Sequence, residues 1–156
     1  MPIYNSLLEL IGNTPIVDAS NFASHTGAKA KILAKLECFN PCGSAKDRIA
    51  RKMIESMEKE GKLTLGGTVI EPTSGNTGIA IAAICAYKGY KCIIVMPDSM
   101  SIERRKLISA YGAEVVLTPA VEGMNGHCLH SLAAAFVHPE SGEPVEIRTP
   151  LPAWAR

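Results

Sequence analysis

Two stretches of this chain bring together residue types able to do chemistry. The first, Asn40-Pro41-Cys42-Gly43-Ser44-Ala45-Lys46-Asp47-Arg48, reads as a strand exit and turn that set Lys46 in the first turn of a helix. The helix dipole opposes a cation there by about 0.3–1 kcal/mol, which favours the neutral amine by less than one pK unit. Burial or a bound cofactor must supply the rest. A neutral amine at this point can form an imine with an aldehyde cofactor, although spacing alone fits an ordinary solvated lysine better. The second stretch, Glu71-Pro72-Thr73-Ser74-Gly75-Asn76-Thr77-Gly78, lies between an expected strand and an expected helix. Free N–H groups at a helix start, with the Thr73, Ser74 and Thr77 hydroxyls, suit a carboxylate or phosphate, and Gly75 permits close backbone approach. The stretch matches neither GxGxxG nor GxxxxGK[ST], so it carries no nucleotide signature. A well-capped turn fits these residues equally well. Gly66-Gly67-Thr68 precedes a strand instead of a helix and reads as a simple turn.

The elements that must position these stretches follow from periodicity. Short apolar runs at Ile32–Glu37, Thr68–Glu71, Cys92–Met96 and Glu114–Leu117 read as strands. Between the first two, Ile49, Met53, Ile54 and Met57 recur at helical spacing, with Arg48, Arg51, Lys52, Glu55 and Lys59 on the other face. Ser44 can cap this helix, with Asp47 three residues later, and Gly61 can end it. Further helices are expected from Asn76 to Lys88, before Gly89, and from Ser101 to Tyr111, before Gly112. The Ala80, Ala82, Ala83 and Ala86 side chains of the former suit close packing on a sheet. Alternation of strands and helices implies parallel pairing with right-handed crossovers, hence an α/β class: an open parallel sheet with flanking helices, a layer sandwich.

Composition narrows the function classes. The chain has 156 residues, 47% of them hydrophobic, and a formal charge of +1. That suffices for a sizeable core but supplies no general attraction to nucleic acid or anionic membrane. The longest apolar run, Ile79 to Tyr87, is far shorter than the ~20 residues of a membrane-spanning helix. No basic residue before Lys29 opens a signal peptide, and we expect a soluble, cytoplasmic protein. Five cysteines (Cys38, Cys42, Cys85, Cys92, Cys128) with no CxxC pair argue for reduced thiols over a disulfide framework or zinc site. Cys42, near a helix start, has some thiolate character in prospect, but a nucleophilic role is the weaker reading. His127, Cys128 and His130 form no recognised ligand spacing, and no metal site is expected.

Four segments in order, Ile11–Pro15 (IGNTP), Asn40–Ala50 (NPCGSAKDRIA), Glu71–Ile79 (EPTSGNTGI) and Met100–Glu114 with its MSIERR and AYGAE, resemble the cysteine synthases. These O-acetylserine sulfhydrylases are fold-type II pyridoxal-phosphate enzymes. The likeness runs from about Ile3 to Gly126, and it reverses the plain reading of Lys46. The resemblance implies that Lys46 bonds pyridoxal 5'-phosphate covalently and then acts as base at the substrate α-carbon. It further implies that Asn76 meets the cofactor ring hydroxyl, and that Thr73, Ser74, Gly75 and Thr77 form the loop that grips an amino-acid carboxylate. The implied reaction replaces the acetate of O-acetylserine with sulfide, giving cysteine, with the cofactor as electron sink.

The pattern breaks near residue 127. No lysine follows Lys106, whereas three of the four histidines, four of the ten prolines and the only Trp lie from residue 127 onward. We therefore expect residues 1–126 to form an incomplete α/β domain and residues 127–156 a divergent tail. In that tail Leu129–Val137 reads as a short helix and Pro139–Arg156 as a loose end. The family's GTGGT loop for the cofactor phosphate, and its Ser at the pyridine nitrogen, are not found in this chain. A truncation or frame change near Gly126 is expected on this ground, with weak or absent activity, and aggregation or homodimerisation through uncovered apolar surface. The competing readings are a cystathionine β-synthase-like reaction and a non-catalytic fragment.

Overall fold

Strong local signals build the middle of the chain. In this computed structural model residues 2–73 and 75–119 are described, together with the backbone of two short strands further on. The chain divides into two compact units, residues 1–120 and 121–156. Within the first, β1 (Ile16–Asp18) precedes α1 (Ser20–Thr26) and β2 (Leu33–Lys35), and two short 3-10 turns cover Leu7–Leu10 and Glu37–Phe39. The functional stretches lie on the elements that follow: α2 (Lys46–Lys59), β3 (Thr68–Pro72), α3 (Asn76–Lys88), β4 (Lys91–Pro97), α4 (Ile102–Ala110) and β5 (Glu114–Thr118).

The strands β3, β4 and β5 pair in parallel in that order, which realises the expected α/β sheet. In β4, Cys92, Ile94 and Met96 are buried while the alternate residues are only half-covered. Val69 pairs with Cys92, and Val115 with Ile94, so these residues share the buried face. Both crossover helices cover it: a Cβ on Gly78 of α3 would lie 3.3 Å from Ile94 and 3.6 Å from Ile108 of α4. Two consecutive crossovers of the same hand between neighbouring strands give this outcome, and the right-handed form is the general rule. α3 is apolar on all sides, with Gly78 through Cys85 buried without interruption, because it is packed between the sheet, α2 and α4. Opposite it, Ile70 and Val116 remain 62% and 38% exposed among the described residues.

Three local expectations are corrected. The first apolar run does not join the parallel sheet. It shrinks to β2, paired antiparallel with β1 from Ile16↔Lys35 to Asp18↔Leu33, because the chain turns at Glu37–Phe39 before it could run alongside β3. On α2 the buried residues are Asp47, Ala50 and Ile54, whereas Ile49 and Met53 are 46% and 37% exposed. α3 is so close that it admits Ala50 and turns the bulkier Ile49 outward. Among the later residues, Ala133–Val137 is a strand, β6, not part of a helix, and it pairs antiparallel with β7 (Pro144–Arg148) inside the supposedly structureless end. Backbone pairing from Ala133↔Arg148 to Val137↔Pro144 overrides the helix preference of the alanines. His127, Cys128, His130 and Leu129 lie outside the described residues.

Candidate active site

Lys46 is the first residue of α2 and is exposed. Its backbone N–H donates to Ser44 Oγ at 2.9 Å, so Ser44 satisfies the helix start although Ala45 occupies the cap position. Its side chain has no hydrogen bond or ion pair among the described residues. The turn before it is held by side chains on both flanks. Buried Asn40 accepts the Gly12 N–H at 2.8 Å and donates to the Glu37 carbonyl at 2.8 Å and to Glu37 Oε2 at 2.9 Å. Arg48 clasps Glu37 with two bonds, Nε to Oε2 at 2.8 Å and Nη2 to Oε1 at 2.9 Å, and donates also to the Gly12 carbonyl at 2.9 Å. The guanidinium and Asn40 together hold the Glu37 carboxyl down at about 2. Thr14 Oγ1 donates to the same carboxylate at 2.9 Å. IGNTP is thus a buttress for the lysine turn; Asn40 opens the first candidate stretch, but its tie to Gly12 and the role of Glu37 are not expected from the sequence. Nothing in local spacing announces them, since their partners lie 28 and 11 residues away in sequence.

Asp47 follows Lys46 and is fully buried. Its Oδ2 accepts the Cys42 N–H at 2.6 Å, and burial raises its carboxyl above the ordinary range. It therefore does not reach back to Ser44 as a capping partner. Burial, with Asp47 alongside, pushes the Cys42 thiol up to about 12. A thiol held protonated in this way is a poor nucleophile at neutral pH.

The second stretch forms the junction of β3 and α3. Thr73 N–H donates to the Val95 carbonyl at 2.9 Å and extends the parallel pairing past Pro72. Gly75 takes the cap position of α3 with no side-chain cap. The Gly78 and Ile79 N–H groups bond to its carbonyl at 3.0 and 3.4 Å, which leaves the Asn76 and Thr77 N–H groups at the helix start for an external acceptor. Thr73 Oγ1 faces the Gly75 N–H at 3.4 Å. A Cβ at Gly75 would meet nothing within 4 Å, whereas one at Gly78 would lie 2.6 Å from Thr73 Cγ2. Gly75 borders open space, and Gly78 lets Thr73 sit against the helix. Ser74 lies outside the described residues. Upstream, Glu71 reaches into a cavity of about 150 Å³ lined also by Met53, Met57 and Ile81, and burial raises its carboxyl.

The two helix starts stand at the same end of the first unit. Near the other ends of α2 and α3, Lys88 Nζ meets Glu58 Oε2 at 2.7 Å and Tyr90 donates to Glu58 Oε1 at 2.7 Å. Helices of 14 and 13 residues, joined near their C-termini and packed together, run in the same direction.

Comparison with known proteins accords with this arrangement. A family model described as pyridoxal-phosphate dependent enzyme matches residues 7–144. The chain belongs to the pyridoxal-phosphate dependent enzyme family. It is 50% identical over 147 residues to a cysteine synthase of a Flavobacterium species, covering 94% of this chain and 47% of that one. A cysteine synthase of Staphylococcus aureus (strain Mu50) is 52% identical over 122 residues, covering 78% and 39%. Among solved structures, O-ureido-L-serine synthase superposes with a TM-score of 0.70 at 47% identity, over 76% of this chain and 36% of that one. A hydrogen sulfide-producing enzyme from Fusobacterium nucleatum gives 0.68 at 55% identity, over 75% and 38%. The chain thus spans less than half the length of these relatives.

The donor set fits the family cofactor. Among the described residues it offers an exposed primary amine without a competing partner, an uncapped helix start and an amide side chain, Asn76, at that start. No helix among them is long and apolar enough to cross a membrane.

Proposed function

We propose that this chain carries the lysine-bearing half of a β-replacement site, which converts O-acetylserine and sulfide to cysteine and acetate, and that by itself it is weakly active or inactive. The observation that carries the reading is the shared end of the two helix starts, one bearing the unpartnered Lys46 amine and the other the uncapped amides of Asn76 and Thr77. The substrate carboxylate is assigned to those amides with the Thr73, Ser74 and Thr77 hydroxyls, and Asn76 to the cofactor ring oxygen. Pyridoxal phosphate, when bound, supplies an electron sink for the pair left at the α-carbon. Lys46 holds the cofactor and, as a free amine, takes the α-proton. Acetate leaves with the bonding pair of the β-carbon–oxygen bond, hydrosulfide adds at the β-carbon, and the proton returns to the α-carbon, so no net oxidation occurs.

The names of the relatives support sulfur and serine-derived chemistry. A cystathionine β-synthase-like reaction would use the same residues with a thiol in place of sulfide. A second reading, a non-catalytic module, follows from the break in the family pattern near residue 127. Cysteine formation by the purified full chain with added pyridoxal phosphate, against a Lys46→Ala control, tests the first reading. Lysine-dependent turnover with sulfide supports it. A borohydride-trapped cofactor on Lys46 without turnover supports the second, and no trapped cofactor at all removes Lys46 from the role. We place the protein in the cytoplasm, with residues 1–126 as its α/β domain and residues 127–156 as a tail, and assign self-association to the side of the sheet that exposes Ile70 and Val116.

A further inference from the structure

We propose that Asp47 is a positioning residue for Lys46, acting by clamping the turn that delivers the lysine; the inference rests on the β-replacement reading above. Three observations carry it. The carboxylate is fully buried. One oxygen accepts the Cys42 N–H at 2.6 Å, across the turn. The other, Oδ1, is buried without a partner among the described residues. For stability alone this is a poor choice, because a buried carboxylate with an unpaired oxygen costs more than an apolar residue of the same size. What it does locally is specific. The turn is stitched by Gly43 N–H to the Asn40 carbonyl at 2.8 Å and by Lys46 N–H to Ser44 Oγ at 2.9 Å. Neither bond fixes Cys42 against the helix. The Asp47 carboxylate does so from the residue next to Lys46, so that one short bond ties Cys42 to the point at which the chain enters α2, and with it to the base of the lysine side chain. Groups whose geometry must be held within a fraction of an ångström are commonly supported in this way by a neighbouring side chain.

The test uses the full chain with pyridoxal phosphate and the variants Asp47→Asn and Asp47→Leu, which are of similar size. Asn keeps an acceptor for Cys42, and Leu does not. The first readout is the equilibrium amount of cofactor trapped on Lys46 by borohydride, and the second, without cofactor, is acetylation of Lys46 relative to Lys52 by an amine-reactive ester, read by peptide mass. We expect Asn to stay within about twofold of the parent and Leu to trap about tenfold less cofactor, with Leu melting no lower than the parent. The acetylation ratio should shift about threefold in Leu and little in Asn. If Leu does not fold, Asp47→Ser, too short to reach Cys42, is read in its place. Equal trapping in Leu and parent overturns the proposal, as does equal loss in Asn and Leu. If the parent itself traps no cofactor, the β-replacement reading fails separately, and an unchanged acetylation ratio in Leu then overturns the role of Asp47 as well.

Discussion

Lys88 Nζ lies 2.7 Å from Glu58 Oε2, and this ion pair aligns the two helices of the candidate site. Lys46 precedes Glu58 by the same number of residues as Asn76 precedes Lys88, so at about 1.5 Å per residue both helix starts lie at the same height. The Tyr90 hydroxyl, donating to Glu58 at 2.7 Å, tightens the same corner. Lys88 first, and Tyr90 second, hold the Glu58 carboxyl below its ordinary range.

Lys46→Ala removes all covalent cofactor binding while leaving the fold intact. Its side chain is exposed and has no partner among the described residues, so stability should move by no more than about 0.5 kcal/mol. Borohydride trapping and thermal denaturation on one sample check both halves of the statement. A trapped cofactor in this variant would exclude the assignment.

Thr73→Ala and Asn76→Ala weaken amino-acid binding more than they weaken folding. Neither side chain caps α3, so stability should change by less than the ~1 kcal/mol of a lost cap. For Thr73 the lost bond is a charge-assisted one to the substrate carboxylate, worth about 1.5–3 kcal/mol, a tenfold or greater loss of affinity, while Asn76→Ala acts through the cofactor ring oxygen that its side chain would hold. Titration of the cofactor-loaded chain with O-acetylserine, beside urea denaturation, separates the two effects.

Gly78→Ala destabilises, although alanine is the better helix former. The new methyl would stand 2.6 Å from Thr73 Cγ2 and 3.3 Å from Ile94 Cγ2. Overpacking of a buried site costs about 1–3 kcal/mol, against a helix gain of about 1 kcal/mol. The urea midpoint should fall, and substrate affinity with it, because Thr73 must yield. Unchanged affinity would mean that Thr73 does not contact the substrate.

Glu37 makes stability depend on acid. Its carboxyl is lowered from 4.5 to about 2 by Arg48 first and Asn40 second. A lowered acid contributes stability that is complete above the unfolded value and is lost as pH falls through the folded one. The parent should therefore lose stability progressively between about pH 4.5 and 2, and Glu37→Gln should flatten that limb. Urea midpoints measured across this range, parent against variant, give the comparison. Parallel curves would show that the clasp contributes nothing.

Much of this was already legible along the chain. The limits of α3, Asn76–Lys88, and the positions of β3, β4 and β5 follow from short-range apolar periodicity closed by Gly89 and Gly112, both at positive φ. The chemistry of Lys46 and of the Thr73–Gly78 stretch is likewise a property of residue order, because a helix start exposes its own amides whatever surrounds it. Tertiary structure decided the rest. Whether Ile49 or Ala50 faces inward depended on how near α3 stands, and whether Ile32–Glu37 joined the parallel sheet depended on a competing partner, Ile16–Asp18, that has no strong pattern of its own. Alanines at 133–135 became strand because Glu146, Ile147 and Arg148 of β7 were available to pair with them. The Glu37–Asn40–Arg48 tie to Gly12, and the burial of Asp47 beside the lysine, join residues distant along the chain or facing into a core that only packing creates. Such long-range contacts leave no periodic trace in sequence, because each is stabilised by the fold as a whole and not by its neighbours in the chain.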